Sequence, residues 1–457
     1  MMPTDRHASL AAALAAHARE TPAAPALLCA DDTLSHARLA DEAARRAASL
    51  AALGLAPATI VALAAPAGEL AQTLLACQWA GHPFLPLDPA TADERWPAFA
   101  AGAAARHRLA QAPAVGARTT APATSAADAP ALVVATSGSA GTPKGVLLAH
   151  RALAAAAAAS AARIPLARGD VWLNCLPLFH IGALAIFWRC LAAGAAVRLH
   201  EGFDAAAVWA DIAAGRATHV SLVPAMLARL LDVSADAPPP ATLSCALIGG
   251  AALSRPLWRR ARDAGWPLFV SYGMSETAAQ VATLPPTDDW QEGLVGTPLP
   301  GMEVAVGDDG RLRVRGPQLL LGYLGDAASP LVDGWLRSGD LGRIDDRGRL
   351  HVLGRGDDVL VSGGENIHPL EVESRLAACP GVADVAVTAT RDPVWGDLVT
   401  ALVVGSADAA AVEAWSREHL PAKLRPRRTL TVAALPRTAL GKLERQRLPA
   451  LAAEAAA

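Results

Sequence analysis

An α/β fold is predicted for this chain: a large N-terminal domain of two sheet-and-helix subdomains plus a small β-barrel-like part, followed by a small mobile α+β C-terminal domain. Its 457 residues exceed one ordinary domain and leave ample core for two. The apolar runs IVALAAPA (60–67), ALVVA (131–135), HVSLVPA (219–225), CALIGG (245–250) and PLFVSYG (267–273) alternate with helical patterns. That rhythm belongs to buried parallel strands covered by helices. Near residue 290 the texture changes to short strands with turn signals. In GMEVAVGDDGRLRVRG (301–316), the segments DDG and RLRVR predict a hairpin.

The start, MMPTDRHASLAAALAAHARE, carries Asp5, Arg6, His17, Arg19 and Glu20 around a short alanine stretch. It reads as a helix, unlike the uninterrupted apolar core of a signal peptide. Residues 100–130 are rich in Ala, Pro and Thr and read as a surface excursion. The most apolar later stretch, IGALAIFWRCLAAGAAV (181–197), is interrupted by Arg189 and falls short of the roughly 20 residues of a membrane span. After GRLHVLGRGDD (348–358) a helix-and-strand pattern returns and runs to the end. The expected domains are residues 1–354 and 359–457, joined by a hinge at 355–358.

A formal charge of -3 gives no electrostatic case for binding nucleic acid or an anionic membrane. The expected partners are small molecules, and the oligomeric state is not readable, which leaves a homo-oligomer open. The cysteines (Cys29, Cys77, Cys175, Cys190, Cys245, Cys379) form no CxxC pair and no metal-spaced cluster with histidine. A reducing cytoplasm fits.

After ALVVA comes TSGSAGTPKG (136–145), with an alanine-rich helix expected next. Glycines let the backbone turn so that successive N–H groups and hydroxyls face one concave space, where phosphate oxygens could sit within reach of a lysine. The spacing is not that of a P-loop NTPase, since Thr142 and Pro143 separate Gly141 from Lys144. An ordinary Gly/Ser turn is the alternative reading of the loop alone.

The longer segment TSGSAGTPKGVLLAH (136–150) resembles the signature of adenylate-forming enzymes, which include acyl-CoA synthetases, peptide-synthetase adenylation domains and luciferases. Further segments resemble that family's motifs in order: LPLFHIGALAI (176–186), SYGMSETAAQV (271–281), WLRSGDLGRIDDRGRLHVLGRGDDVLVSGGENIHPLEVE (335–373) and LPRTALGKLERQRL (435–448). Residues 34–89 also match its N-terminal pattern, so the resemblance covers nearly the whole chain. It implies an N-terminal AMP-binding (adenylation) domain and a C-terminal lid domain. It also implies a ligase activity: a carboxylic acid and ATP give acyl-AMP and pyrophosphate, and CoA then gives acyl-CoA and AMP. ATP, Mg2+ and CoA are the implied cofactor and co-substrates.

The chemistry makes the residue types intelligible. A carboxylate is a poor acylating agent until AMP replaces oxide as its leaving group. The anionic acid must meet a polyanionic triphosphate, which calls for preorganised donors, a magnesium ion and a lysine. By the resemblance, Thr136, Ser137, Gly138, Ser139, Gly141 and Lys144 would hold the β- and γ-phosphates, with Ala140 departing from the usual threonine. Glu276 with Thr136 would hold magnesium, and Thr277 would contact the α-phosphate. Tyr272 would lie against adenine within the segment Ser271, Tyr272, Gly273, Met274, and Gly249, Gly250 and Ala251 would line its other side. Asp340 would accept both ribose hydroxyls, helped by Arg355. Lys442 would enter only for adenylation, and Asp357 would be the hinge. Gly363 and Gly364 would leave room for a pantetheine arm.

The acid pocket is expected from Phe179, His180, Ser221 and Gly249, with His180 as the gate residue. Stretches 170–199, 218–231 and 271–284 are most similar to the o-succinylbenzoate ligases of menaquinone biosynthesis, whose substrate carries a second carboxylate. Arg229, with Ser221 as a weaker donor, is the candidate partner for that group, although an arginine in PAMLARLLD also reads as an outward charge. Another aryl acid, a medium-chain fatty acid, or loading of a separate carrier protein in place of CoA remain as alternatives.

Overall fold

The protein is described by a computed structural model covering residues 9–30, 32–100, 105–137, 143–326, 328–362, 365–392, 396–438, 441 and 443–456. The expected site residues Gly138, Ser139, Gly141, Gly363, Gly364 and Lys442 lie outside the described residues, and of Ser137 only the backbone is described.

A large sheet carries the site. Its parallel centre runs Leu268–Tyr272, Cys245–Ile248, His219–Leu222, Val171–Asn174 and Ala196–Leu199 in spatial order. Cys245–Ile248 and His219–Leu222 are buried at every position, which is why these runs read as continuous rather than alternating apolar stretches. Helices cover the faces; Ile181–Ala193, for example, buries ten of its side chains and ends at Gly194, whose φ of 68° terminates it in the left-handed region.

Beyond Leu268–Tyr272 the sheet turns antiparallel through Ala282–Leu284 and Leu294–Pro298, then Leu350–Arg355, Trp335–Ile344, Arg311–Arg315 and Glu303–Val306. The 301–316 hairpin forms as its turn residues predict. The β-barrel-like expectation is corrected: among the described residues these strands close no barrel. They continue the main sheet in an open path whose outer strand, Glu303–Val306, pairs on one side only.

A second sheet orders Gly322–Tyr323, Pro143–Ala149, Pro130–Ser137, Phe84–Leu87, Ile60–Ala64 and Arg106–Arg108. Here the chain departs from the sequence reading. Pro130–Ser137 is followed by a second strand, Pro143–Ala149, paired antiparallel with it from Ser137↔Pro143 onward, and only then by the alanine-rich helix His150–Ala161. The residues PKGVLLA fill a strand because Val146, Leu148 and Ala149 are buried there.

A third sheet, with the helices Pro369–Leu376, Ala409–His419 and Leu448–Ala456, occupies the C-terminal part, around the long antiparallel pair Val382–Asp392 and Gly396–Gly405. Its buried clusters begin at Ile367, whereas the largest core ends at Leu350.

Candidate active site

The parallel strands point their carboxyl ends to one edge of the main sheet, and that crevice is where ligands of open α/β sheets bind. From those ends leave the segments holding Phe179 and His180, Val223 and Pro224, Gly249 to Ala251, and Tyr272 to Thr277.

Tyr272 closes its strand half-buried, and its hydroxyl donates to Asp340 Oδ2 at 2.7 Å. Burial first, and the Asp340 charge second, push the phenol well above its ordinary range, so it remains a donor. Asp340 is presented by Trp335–Ile344, and Arg355 stands opposite in the ladder with Nη1 3.6 Å from Asp340 Oδ1. A Cβ on Gly339 would lie 2.6 Å from Arg355 Nη2, so glycine is what lets the guanidinium cross beside the carboxylate.

Glu276 sits in the short 3-10 turn Ser275–Thr277. Tyr323 donates its hydroxyl to Glu276 Oε1 at 3.0 Å, and Lys144 Nζ lies 4.9 Å from the Tyr323 ring centroid. Burial, then Glu276, raises the Tyr323 phenol as well. The strand Gly322–Tyr323 pairs with Pro143–Ala149 of the second sheet, and Leu320 N–H donates to the Glu276 carbonyl. One short segment thus fastens the strand Pro143–Ala149 to the Glu276 turn. Among the described residues the second Glu276 oxygen makes no hydrogen bond, and a carboxylate with one oxygen held and one open suits a hard cation such as Mg2+. Thr136, at the far end of its strand, donates Oγ1 to the Lys144 carbonyl at 3.3 Å, and Lys144 is exposed.

Gly249 and Ser271 lie side by side: a Cβ on Gly249 would stand 2.7 Å from Ser271 Oγ, which donates to the Ile248 carbonyl. Gly250 has a φ of 78°, and with Ala251 it is exposed at the crevice edge. Gly273 lets Met274 and the Ala279 segment close on each other, since a Cβ there would fall 1.8 Å from the Ala279 carbonyl oxygen. His180 stands at the N-cap position of Ile181–Ala193, half-buried, its ring 4.6 Å from that of Phe179.

Three expected site residues have partners of their own. Arg229 is exposed and lies over the Phe203 ring at 5.3 Å, because Met226, Leu227, Leu230 and Leu231 take the buried face of its helix. Ser221 is buried and its Oγ accepts from Trp172 Nε1 at 2.9 Å, so its hydroxyl serves the interior. Thr277 is fully buried, and its Oγ1 donates to the Met274 carbonyl while accepting from Met274 N–H, both at 3.1 Å. Its hydroxyl thus bonds within its own turn.

The AMP-binding enzyme family profile matches residues 14–115 and 97–324, and that of its C-terminal domain matches residues 371–442. The chain belongs to the AMP-binding enzyme family. Among relatives of this AMP-binding enzyme, the 2-succinylbenzoate–CoA ligase of Listeria monocytogenes is 36% identical over 324 residues, 70% of this chain and 69% of that protein. The o-succinylbenzoate CoA synthetase of Bacillus subtilis, in complex with the acyl-adenylate OSB-AMP, superposes with a TM-score of 0.84 at 30% identity, covering 95% of this chain and 97% of the other. The same synthetase with ATP and magnesium gives 0.85 over 95% and 98%, again at 30% identity.

Sequence reasoning missed Tyr323 and Arg311. Arg311 Nη2 donates to Asp357 Oδ1 at 2.8 Å, and Nη1 donates to the Gly339 carbonyl at 3.1 Å. The Arg311 contact holds the Asp357 carboxyl below its usual range. The signal for Tyr323, a lone tyrosine after LLLG in a chain with two tyrosines, was present but unread.

Proposed function

We propose that this AMP-binding enzyme is an ATP-dependent acid–CoA ligase acting on o-succinylbenzoate in menaquinone biosynthesis. The observation that carries the reading is the likeness, over nearly the full chain, to a synthetase holding its succinylbenzoyl-adenylate. It is joined to two sets of contacts, Tyr272 with Asp340 and Tyr323 with Glu276 and Lys144.

In the first half-reaction a carboxylate oxygen of the acid attacks the α-phosphorus of ATP, and the bond to pyrophosphate breaks. Asp340 accepts the ribose hydroxyls while Tyr272 fixes its orientation. Lys144 and the loop Thr136, Ser137, Gly138, Ser139 and Gly141 hold the leaving phosphates. Glu276, with Thr136, would hold the magnesium ion, which supplies neutralising charge on the phosphate oxygens. Lys442 bridges the acid carboxylate and the α-phosphate. Its neighbour Gly441 is placed against the start of the helix Pro224–Ser234, where an added Cβ would meet Ala225 Cβ at 3.0 Å.

In the second half-reaction the CoA sulfur attacks the acyl carbon, and AMP leaves with the electron pair of the broken C–O bond. The domains proposed are 1–354 and 359–457, with Asp357 in the hinge 355–358 and Gly363 and Gly364 along the pantetheine channel. Phe179 and His180 wall the acid pocket. No described helix is long and apolar enough to cross a membrane. The unpaired cysteines and the use of ATP and CoA support a cytoplasmic setting as part of this reading.

The test is pyrophosphate release from ATP and magnesium with o-succinylbenzoate, benzoates and fatty acids, with and without CoA. Release with o-succinylbenzoate that proceeds to a thioester only with CoA is the expected result. Preference for a monocarboxylic acid would remove the pathway assignment, and release unaffected by CoA would point to a carrier-protein acceptor.

A further inference from the structure

Arg311 belongs to the strand Arg311–Arg315 of the large domain, yet its guanidinium reaches the segment where the domains join. Its Nη2 donates to Asp357 Oδ1 at 2.8 Å and its Nη1 to the Gly339 carbonyl at 3.1 Å, while Asp309 Oδ2, also paired with Arg337, lies 3.7 Å from Nε. Gly356 packs flat on this guanidinium, since a Cβ there would fall 2.8 Å from Arg311 Cζ. The other Asp357 oxygen is 4.0 Å from Arg355 Nη2, and Arg355 faces Asp340. The contacts therefore form a closed circuit from Asp340 through Arg355, Asp357 and Arg311 back to the residue preceding Asp340.

We propose that Arg311 is a positioning residue that clamps the hinge at Asp357 and keeps the small domain in the adenylating orientation. The inference rests on the ligase reading and its hinge. In this orientation Gly441, next to Lys442, lies against the large domain beside the crevice. Rotation of the small domain changes the backbone at the hinge, so the Arg311–Asp357 bond must break or reform with it. The Gly339 carbonyl ties the same guanidinium to the strand that presents Asp340, and ribose on that carboxylate stabilises the circuit as a unit. A bond made in one orientation and absent in the other shifts their populations by its own strength.

The test uses the full chain with Arg311→Met and Arg311→Lys. Adenylation, read as pyrophosphate release, should fall about two- to fivefold in the methionine variant, the range for a partly exposed charged pair, while thioester formation from supplied succinylbenzoyl-AMP holds or rises. The lysine variant should recover part of the loss, because it keeps a cation for Asp357 but not the fork to Gly339. Independently of activity, tryptic cleavage after Arg355, mapped by mass, should be faster in the methionine variant than in the parent at matched thermal stability. Equal losses in both half-reactions, or unchanged cleavage and unchanged partition, would overturn the clamp. A parent enzyme that adenylates no acid would instead sink the ligase reading, with the cleavage comparison still deciding the clamp.

Discussion

Tyr272 and Asp340 lie 68 residues apart and meet through a 2.7 Å hydrogen bond from phenol to carboxylate. The pair joins the end of the strand Leu268–Tyr272 to the strand Trp335–Ile344. Tyr272→Phe keeps the aromatic face but frees one Asp340 oxygen, so the carboxylate is no longer aimed. The expected result is a rise in KM for ATP of about three- to tenfold, from roughly 1 kcal/mol of lost orientation, with kcat little changed. An unchanged KM in steady-state kinetics would dissociate the contact from nucleotide binding.

Tyr323 orients Glu276 in the same way. Tyr323→Phe should raise the magnesium concentration needed for half-maximal pyrophosphate release, and Glu276→Gln should lower kcat by about a hundredfold or more through loss of the anionic ligand. A magnesium titration of both variants separates the two effects.

Gly273 has no room for a side chain against the Ala279 carbonyl. Gly273→Ala should open the turn carrying Glu276, abolish adenylation and lower thermal stability by about 2 kcal/mol or more. Calorimetry beside the activity assay checks it; a fully active and equally stable variant would mean that the turn relaxes freely.

His36, His82, His150, His219 and His351 all have pKa values lowered, first by burial. His36 also stacks on His17 with ring centroids 5.0 Å apart. Each is neutral in the native state near neutrality, while the unfolded chain takes up protons as pH falls below about 6.5. Stability from these groups is therefore present above that pH and is lost as pH falls toward their lower native values. Melting temperature should drop between about pH 7 and pH 5, and His36→Gln should flatten part of the slope.

Lys442→Ala should abolish adenylation while sparing thioester formation from supplied acyl-AMP, by more than about a hundredfold in ratio. Equal loss in the two half-reactions would contradict a lysine that serves one of them.

Much of this enzyme could be read before folding. Its parallel strands are short and largely apolar, and two of them are buried at every position because both faces are covered, which local composition mostly records. The adenylation motifs were legible because phosphate, ribose and metal contacts demand particular residue types at nearly contiguous positions. Folding settled the rest, since it depends on partners far away in the chain. Arg229 shares a helix with buried leucines and turns outward, Thr277 spends its hydroxyl on Met274, and PKGVLLA pairs as a strand before the alanine helix begins. Tyr323 and Arg311 gain their roles only when sheet pairing brings Val146 beside Tyr323 and Asp340 beside Arg355. Side-chain direction and long-range pairing follow from which face each element buries, and a linear pattern does not specify that face until the neighbouring elements are in place.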